Sequence, residues 1–117
     1  MNAGRHHLEL GCAEYERQAF KSAIRHFRIA ARHGNSEAQV NLGNMYDAGE
    51  GVLLNPKIAK YYYKLAIRKG VSEAAYNLAI SYRQRGQLRW ANYWLRRASA
   101  MGDTDAMDVI GKLPQPE

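Results

Sequence analysis

A single cysteine, Cys12, is all that this 117-residue chain contains. That count excludes an intramolecular disulfide and every zinc site built from several thiolates, and with them the small cross-linked secreted scaffolds. No apolar run approaches the roughly 18 residues that cross a bilayer, and the stretch from Met1 to His7 has no apolar segment of the secretory kind. A cytoplasmic chain without a membrane span is therefore expected. Catalytic signatures are missing as well: there is no nucleophile elbow, phosphate loop or dinucleotide-binding glycine pattern. His6 and Glu9 share a helical face at i, i+3, with His7 and Cys12 nearby in sequence, but a set like this at a fraying terminus does not specify a metal. Neither enzymatic activity nor a cofactor is expected. Acids are the scarcer charge, 11 Asp and Glu against 17 Lys and Arg, and the resulting +6 favours an acidic partner without naming it. With 46% hydrophobic and 24% charged residues, the rest is the composition of one ordinary globular domain.

What the chain does have is an internal repeat. Three segments end alike: Ala23, Phe27, Ala30 and Gly34; Ala59, Tyr63, Ala66 and Gly70; Ala91, Leu95, Ala98 and Gly102, with the glycines 36 and 32 residues apart. A second series, Leu10-Gly11, Leu42-Gly43, Leu78-Ala79 and Ile110-Gly111, is spaced by 32, 36 and 32 residues. Each period thus has two halves, and the middle one carries four extra residues between Gly49 and Asn55. Both halves are helical in period: Ala38, Leu42, Met45 and Tyr46, then Ala74, Leu78, Ser81 and Tyr82, fall at i, i+4, i+7 and i+8. Gly34, Gly70 and Gly102 suit left-handed C′ positions. Asn35, Ser36, Ser72, Asp103 and Thr104 offer N-cap oxygens, and Asn55-Pro56 is an N-cap before an N1 proline. The pattern predicts helices over 5–16, 19–33, 36–48, 56–69, 72–85, 87–101 and 103–112, the last ended by Pro114 and Pro116, and no strand. Gly11, Gly43, Ala79 and Gly111 imply close helix approach, with Ala30, Ala66 and Ala98 as the expected partners, while Tyr46, Tyr63 and Tyr82 follow core spacing.

The run Ala38, Leu42, Gly43, Tyr46, Gly49, Gly51, Val52, Asn55, Ala59, Tyr62, Tyr63, Ala66 and Gly70 resembles a complete Sel-1-like repeat, the 36-residue relative of the tetratricopeptide repeat. The repeat from Ala74 keeps Leu78, Tyr82, Ala91, Trp94, Ala98 and Gly102 but lacks the glycine-valine loop. The first departs further, with His6, Glu14 and His26 at the alanine, tyrosine and second aromatic positions. The resemblance implies an all-α, right-handed superhelix of αα-hairpins. It would hold seven helices and about three and a half repeats in one domain over 1–117: 6–37, 38–73, 74–105 and a capping half-repeat 106–113. It further implies a non-catalytic protein-binding scaffold.

Sorting charges by helix adds what is particular to this chain. The second-half helices hold twelve of the seventeen bases and no acid, whereas first-half helices carry nine acids. In solenoids of this type first-half helices line the concave side, so a basic convex wall and a mildly acidic groove are expected. Two basic ladders, Lys21, Lys57, Arg89 and Arg28, Lys64, Arg96, form either a solvated face suited to the helix dipoles or a docking grid. By analogy with tetratricopeptide grooves, the concave side comprises Arg5, Leu8, Cys12 and Tyr15, then Glu37, Val40, Asn44 and Asp47, then Glu73, Tyr76, Ile80 and Arg83. Asn41 and Asn77 recur in one position, as an interhelical hydrogen bond or as ligand contacts. Leu53 and Leu54 in the inserted loop are either exposed anchors or packed beneath the hairpin. The expected function is to bind another protein, as an immunity or regulatory protein that blocks its partner, with nucleic-acid or anionic-surface binding by the basic face as the alternative. A monomer or weak homo-oligomer is expected.

Overall fold

The structure, a computed structural model, describes residues 2–112; the expected terminators Pro114 and Pro116 and the end of the capping half-repeat lie outside them. Seven helices and no strand occur among the described residues: α1 (Ala3–Glu16), α2 (Phe20–Arg32), α3 (Ser36–Ala48), α4 (Pro56–Arg68), α5 (Ser72–Gln84), α6 (Leu88–Ala100) and α7 (Thr104–Gly111). Each lies within two residues of its expected bounds. Among the described residues no helix is long and apolar enough to cross a membrane. The chain divides into two compact units, Met1–Lys69 and Gly70–Glu117. In the first, hairpins α1/α2 and α3/α4 are joined by packing of α2 on α3; in the second, α6 packs against both α5 and α7.

The punctuation follows backbone chemistry. Gly34, Gly70 and Gly102 end helices at φ of 85°, 85° and 104°, a region in which a Cβ is penalised. The Asn35, Asn55 and Asp103 side chains accept from the first-turn amides of α3, α4 and α7, at 2.8 Å from Ala38 N, 3.1 Å from Lys57 N and 2.8 Å from Ala106 N. Asn2 does the same for α1, 3.1 Å from Arg5 N. Ser36, Ser72 and Thr104 are instead the first helical residues, and the N-cap of α5 is Val71 with no side-chain bond. Three-residue turns join α1 to α2 and α5 to α6, while seven residues, 49–55, join α3 to α4. The four extra residues therefore form one loop.

Gln18 exposes a local conflict. It sits in the α1–α2 turn at φ 62°, where Gly86 fills the corresponding place in the α5–α6 turn at φ 75°. Left-handed backbone costs a side-chain-bearing residue about 1 kcal/mol, and Gln18 is exposed. Gln18→Gly should raise the melting temperature by a few degrees in a circular dichroism melt. An unchanged or lowered value would show that the turn holds no such strain.

Buried alanines, larger aliphatic side chains and rings make the core: Ala23, Ile24, Phe27, Ala30, Leu42, Met45, Tyr46, Ala59, Tyr63 and Ala66 in the first unit, and Ala74, Leu78, Ala79, Ala91, Trp94, Leu95 and Ala98 in the second. Tyr46 and Tyr63 are core residues as expected, whereas Tyr82 stays part-exposed. Close packing at the small-residue positions holds, but the partners differ from expectation. A Cβ on Gly11 would stand 2.7 Å from the Phe27 ring, and one on Gly43 2.5 Å from the Tyr63 ring, so the glycines make room for rings and not for alanines. Gly111, at the end of α7, meets nothing within 4 Å, since no helix follows it among the described residues. The departures Glu14 and His26 compensate each other. They occupy the positions of Tyr46 and Tyr62, which stack at 6.0 Å and 17° in the second hairpin; in the first, His26 Nδ1 pairs with the Glu14 carboxylate instead. His7 stacks on His26 at 5.4 Å, and burial, with His6, His26 and His33 nearby, lowers its pKa.

Candidate functional site

An open cleft of about 310 Å³ lies in the first unit, lined by Cys12, Tyr15 and Glu16 of α1, Asn41, Asn44 and Met45 of α3, and Phe27 of α2. Phe27 and Met45 are buried by the same stripe that builds the hairpins, so the floor is apolar and fixed. The polar lining is tied down. Tyr63 donates its hydroxyl to Asn44 Oδ1 at 2.7 Å, Asn41 Nδ2 lies 4.0 Å from Cys12 Sγ across the two helices, and Tyr15 donates to both Glu50 oxygens at 2.9 and 3.0 Å. The last contact joins α1 to the inserted loop, which also lays Gly51 against Phe20. Tyr15 is 38% exposed and leans on Phe20 at 5.1 Å, so its ring stands at the cleft edge.

The electrostatics are acidic. Burial raises the pKa of the Cys12 thiol, and the carboxylates of Glu37, Glu16 and Glu9 raise it further. A thiol in such a field stays protonated at neutral pH, the reverse of what a nucleophilic cysteine requires. Burial, followed by the hydrogen bond and charge of Glu50, also raises the Tyr15 phenol. Glu9, Glu16 and Glu37 thus place a negative field over an apolar floor lined by amide groups.

The sequence-derived groove residues fare unevenly. Tyr15, Asn41 and Asn44 meet in the cleft, and Asp47 lies part-exposed one turn beyond Asn44 on α3. Val40 is corrected: it is 4% exposed, because α3 packs against α2 on one side and α4 on the other and its buried arc widens past the expected stripe. Leu8, its counterpart on α1, is buried too. In the second unit Glu73, Tyr76, Asn77, Ile80 and Arg83 all sit on α5, with Glu73 and Arg83 exposed and the other three part-exposed. Arg83 lines a separate opening of about 210 Å³ with Leu88, Ala91, Asn92 and Leu95. Among the described residues, no three or more His, Cys, Asp or Glu side chains gather as a metal ion would need.

All six residues of the basic ladders, Lys21, Lys57, Arg89, Arg28, Lys64 and Arg96, are exposed. Arg28 is engaged, donating to the Tyr46 hydroxyl and lying 5.9 Å from that ring's centroid. Leu53 is 91% exposed and Leu54 56%, so Leu53 does not pack beneath the hairpin. Sequence reasoning missed Glu50, Tyr61, Leu88, Trp90 and Tyr93. Tyr61, Trp90 and Tyr93 are 59%, 51% and 44% exposed on second-half helices, and Trp90 meets Tyr93 edge-on at 5.7 Å. The signal available was the 32-residue spacing of Tyr61 and Tyr93, a recurring aromatic outside the core stripe.

Comparison with known proteins places this arrangement. A family model described as the Sel1 repeat matches residues 4–35, 36–71 and 72–103. The chain is 32% identical over 96 residues to the ERAD-associated E3 ubiquitin-protein ligase components HRD3B and HRD3A of Arabidopsis thaliana, covering 82% of this chain but 14% and 12% of those proteins. The crystal structure of a Sel1 repeat protein from Oxalobacter formigenes superposes with a TM-score of 0.77 at 28% identity, covering 89% of this chain and 44% of that one. That of c5321, a protective antigen of uropathogenic Escherichia coli strains displaying an SLR fold, gives 0.77 at 30% identity, covering 92% and 25%. This chain therefore spans less than half the length of each of these relatives. With three matched repeats covering nearly all the described helices, it belongs to the Sel1 repeat family.

Proposed function

We propose that the chain is a non-enzymatic protein-interaction module, and that the cleft between α1 and α3 takes an extended segment of a partner bearing an apolar side chain beside a basic one. One observation carries this reading: a preformed opening with an apolar Phe27–Met45 floor, an exposed tyrosine at its edge and a carboxylate field above it. The Arabidopsis relatives are named as components of a ligase, which supports a binding role of this kind. That binding blocks the partner, as an immunity or regulatory protein would, and takes place in the cytoplasm belong to the same proposal; the single cysteine supports the latter. The alternative, an anionic surface or nucleic acid on the basic helices, rests on the eleven bases and no acid of α2, α4 and α6.

Selection from a displayed random-peptide library should return segments that pair Leu or Phe with Arg or Lys. Tyr15→Ala should weaken their binding about tenfold or more, as loss of an aromatic anchor does, and Tyr15→Phe, which keeps the ring, much less. Affinity should fall only modestly with salt, whereas phosphate binding would fall steeply. Selected segments without basic residues, or indifference to Tyr15→Ala, would remove the cleft as the site.

A further inference from the structure

A second opening lies between the two second-half helices of the first unit. It is an open cleft of about 270 Å³, lined by Arg28, Ala31 and Arg32 of α2 and by Tyr61, Tyr62 and Leu65 of α4. One wall is held by a chain of contacts. Arg28 donates to the Tyr46 hydroxyl and lies over the Tyr46 ring, Tyr46 stacks on Tyr62, and Tyr62 meets Tyr61 edge-on at 5.2 Å and 74°. The Arg28 guanidinium is therefore oriented before anything binds. Arg32 follows one turn along the same helix, exposed. Both cations act on the cleft: burial raises the Tyr62 phenol, Tyr46 and Tyr61 raise it too, and Arg28 and Arg32 pull it down. Neither α2 nor α4 contains an Asp or Glu, so no carboxylate of these helices satisfies the two guanidinium groups.

We propose that this cleft is a docking site for an acidic segment of a partner polypeptide. An Asp or Glu carboxylate would lie between Arg28 and Arg32, and a neighbouring apolar side chain against Tyr61 and Leu65. Charge complementarity selects the occupant: a planar guanidinium receives a carboxylate through two parallel N–H bonds, and a pre-oriented one loses less freedom in doing so. The rings argue for a peptide over a nucleic acid. Single-stranded bases need open, successive stacking faces, but Tyr61 stands edge-on to Tyr62, and the Tyr46–Tyr62 stack is internal to the wall. This site goes beyond the α1/α3 cleft and demands the opposite charge, so one unit offers a basic and an acidic segment separate places to dock.

The test is fluorescence anisotropy on the full chain with three labelled probes: a peptide alternating Glu and Leu, its Lys/Leu counterpart, and a thymidine oligonucleotide matched in charge to the Glu peptide. At physiological salt the Glu/Leu peptide should bind more tightly than the oligonucleotide. Arg32→Gln should weaken it about tenfold, and Arg28→Lys, which keeps the charge but loses the planar fork, by a comparable factor. Lys60→Gln removes a like charge from α4 outside the cleft lining and should change affinity less than about twofold. Tyr61→Ala, at an exposed position whose loss leaves the core intact, should also weaken the peptide. Tighter binding of the oligonucleotide, equal losses from the lysine and arginine variants, or no binding of the Glu/Leu peptide would each overturn the assignment. The Lys/Leu peptide should be indifferent to Arg32→Gln; a matching loss would mean that the variant had disturbed the fold and not the site.

Discussion

Gly43→Leu should destabilise the protein by about 3 kcal/mol, at the upper end of what overpacking a core costs. The magnitude follows from how little can move. A Cβ alone would stand 2.5 Å from the Tyr63 ring, and that ring is 1% exposed and anchored by its hydroxyl to Asn44 at 2.7 Å. It cannot swing aside without breaking the hydrogen bond, so α3 and α4 must separate. Gly43→Ala should therefore also destabilise, although alanine is preferred over glycine within a helix by about 1 kcal/mol. The third hairpin suggests the rescue. There Ala79 fills the glycine position and Leu95 the ring position, both buried, so a methyl group is admitted where the opposing residue is not aromatic. Gly43→Ala combined with Tyr63→Leu should be more stable than the sum of the two single changes predicts, a coupling that thermal denaturation of the four proteins would measure. Strict additivity, or a Gly43→Leu protein that melts with the native one, would show that the glycine is not there to admit the ring.

This pairing marks the limit of what the sequence discloses about the fold. Helix bounds were most legible where the terminal residue's backbone chemistry is local: Gly34, Gly70 and Gly102 in left-handed conformation, Asn35, Asn55 and Asp103 as caps. Periodicity also identified the buried stripe, since it depends on a helix's own geometry. It does not say which side chain meets which across a hairpin, and so Gly11 and Gly43 were matched to alanines when rings fill the space. The same gap explains the cleft. Tyr15, Asn41 and Asn44 were legible from repeat register, but Val40 was placed on an open side that the packing of α3 between two neighbours closes. Glu50 was invisible because its role depends on where a seven-residue loop folds back, which no repeat of the pattern records.

That loop supplies the second large effect. Gly51→Val should cost about 2 kcal/mol, from two independent causes at one residue. Its φ of 73° is a region that a β-branched side chain adopts only with strain. A Cβ there would also stand 2.7 Å from Phe20 Cβ, 2.9 Å from Phe20 C and 3.0 Å from its O. The last two are backbone atoms at the start of α2, so no rotamer change relieves them. The expected cost is bounded, because the segment from Gly49 to Asn55 can lift away before the hairpins unfold, and local release then becomes the cheaper route. Such release has a signature beyond stability. Glu50 would leave the Tyr15 hydroxyl, removing two of the causes that raise the phenol, so its pKa should fall toward the ordinary tyrosine value. Following Tyr15 by nuclear magnetic resonance through alkaline pH in native and Gly51→Val protein would separate the outcomes. A Tyr15 titration unchanged by the substitution, with stability retained, would show that the loop is held elsewhere and that Gly51 does not seat it against α2.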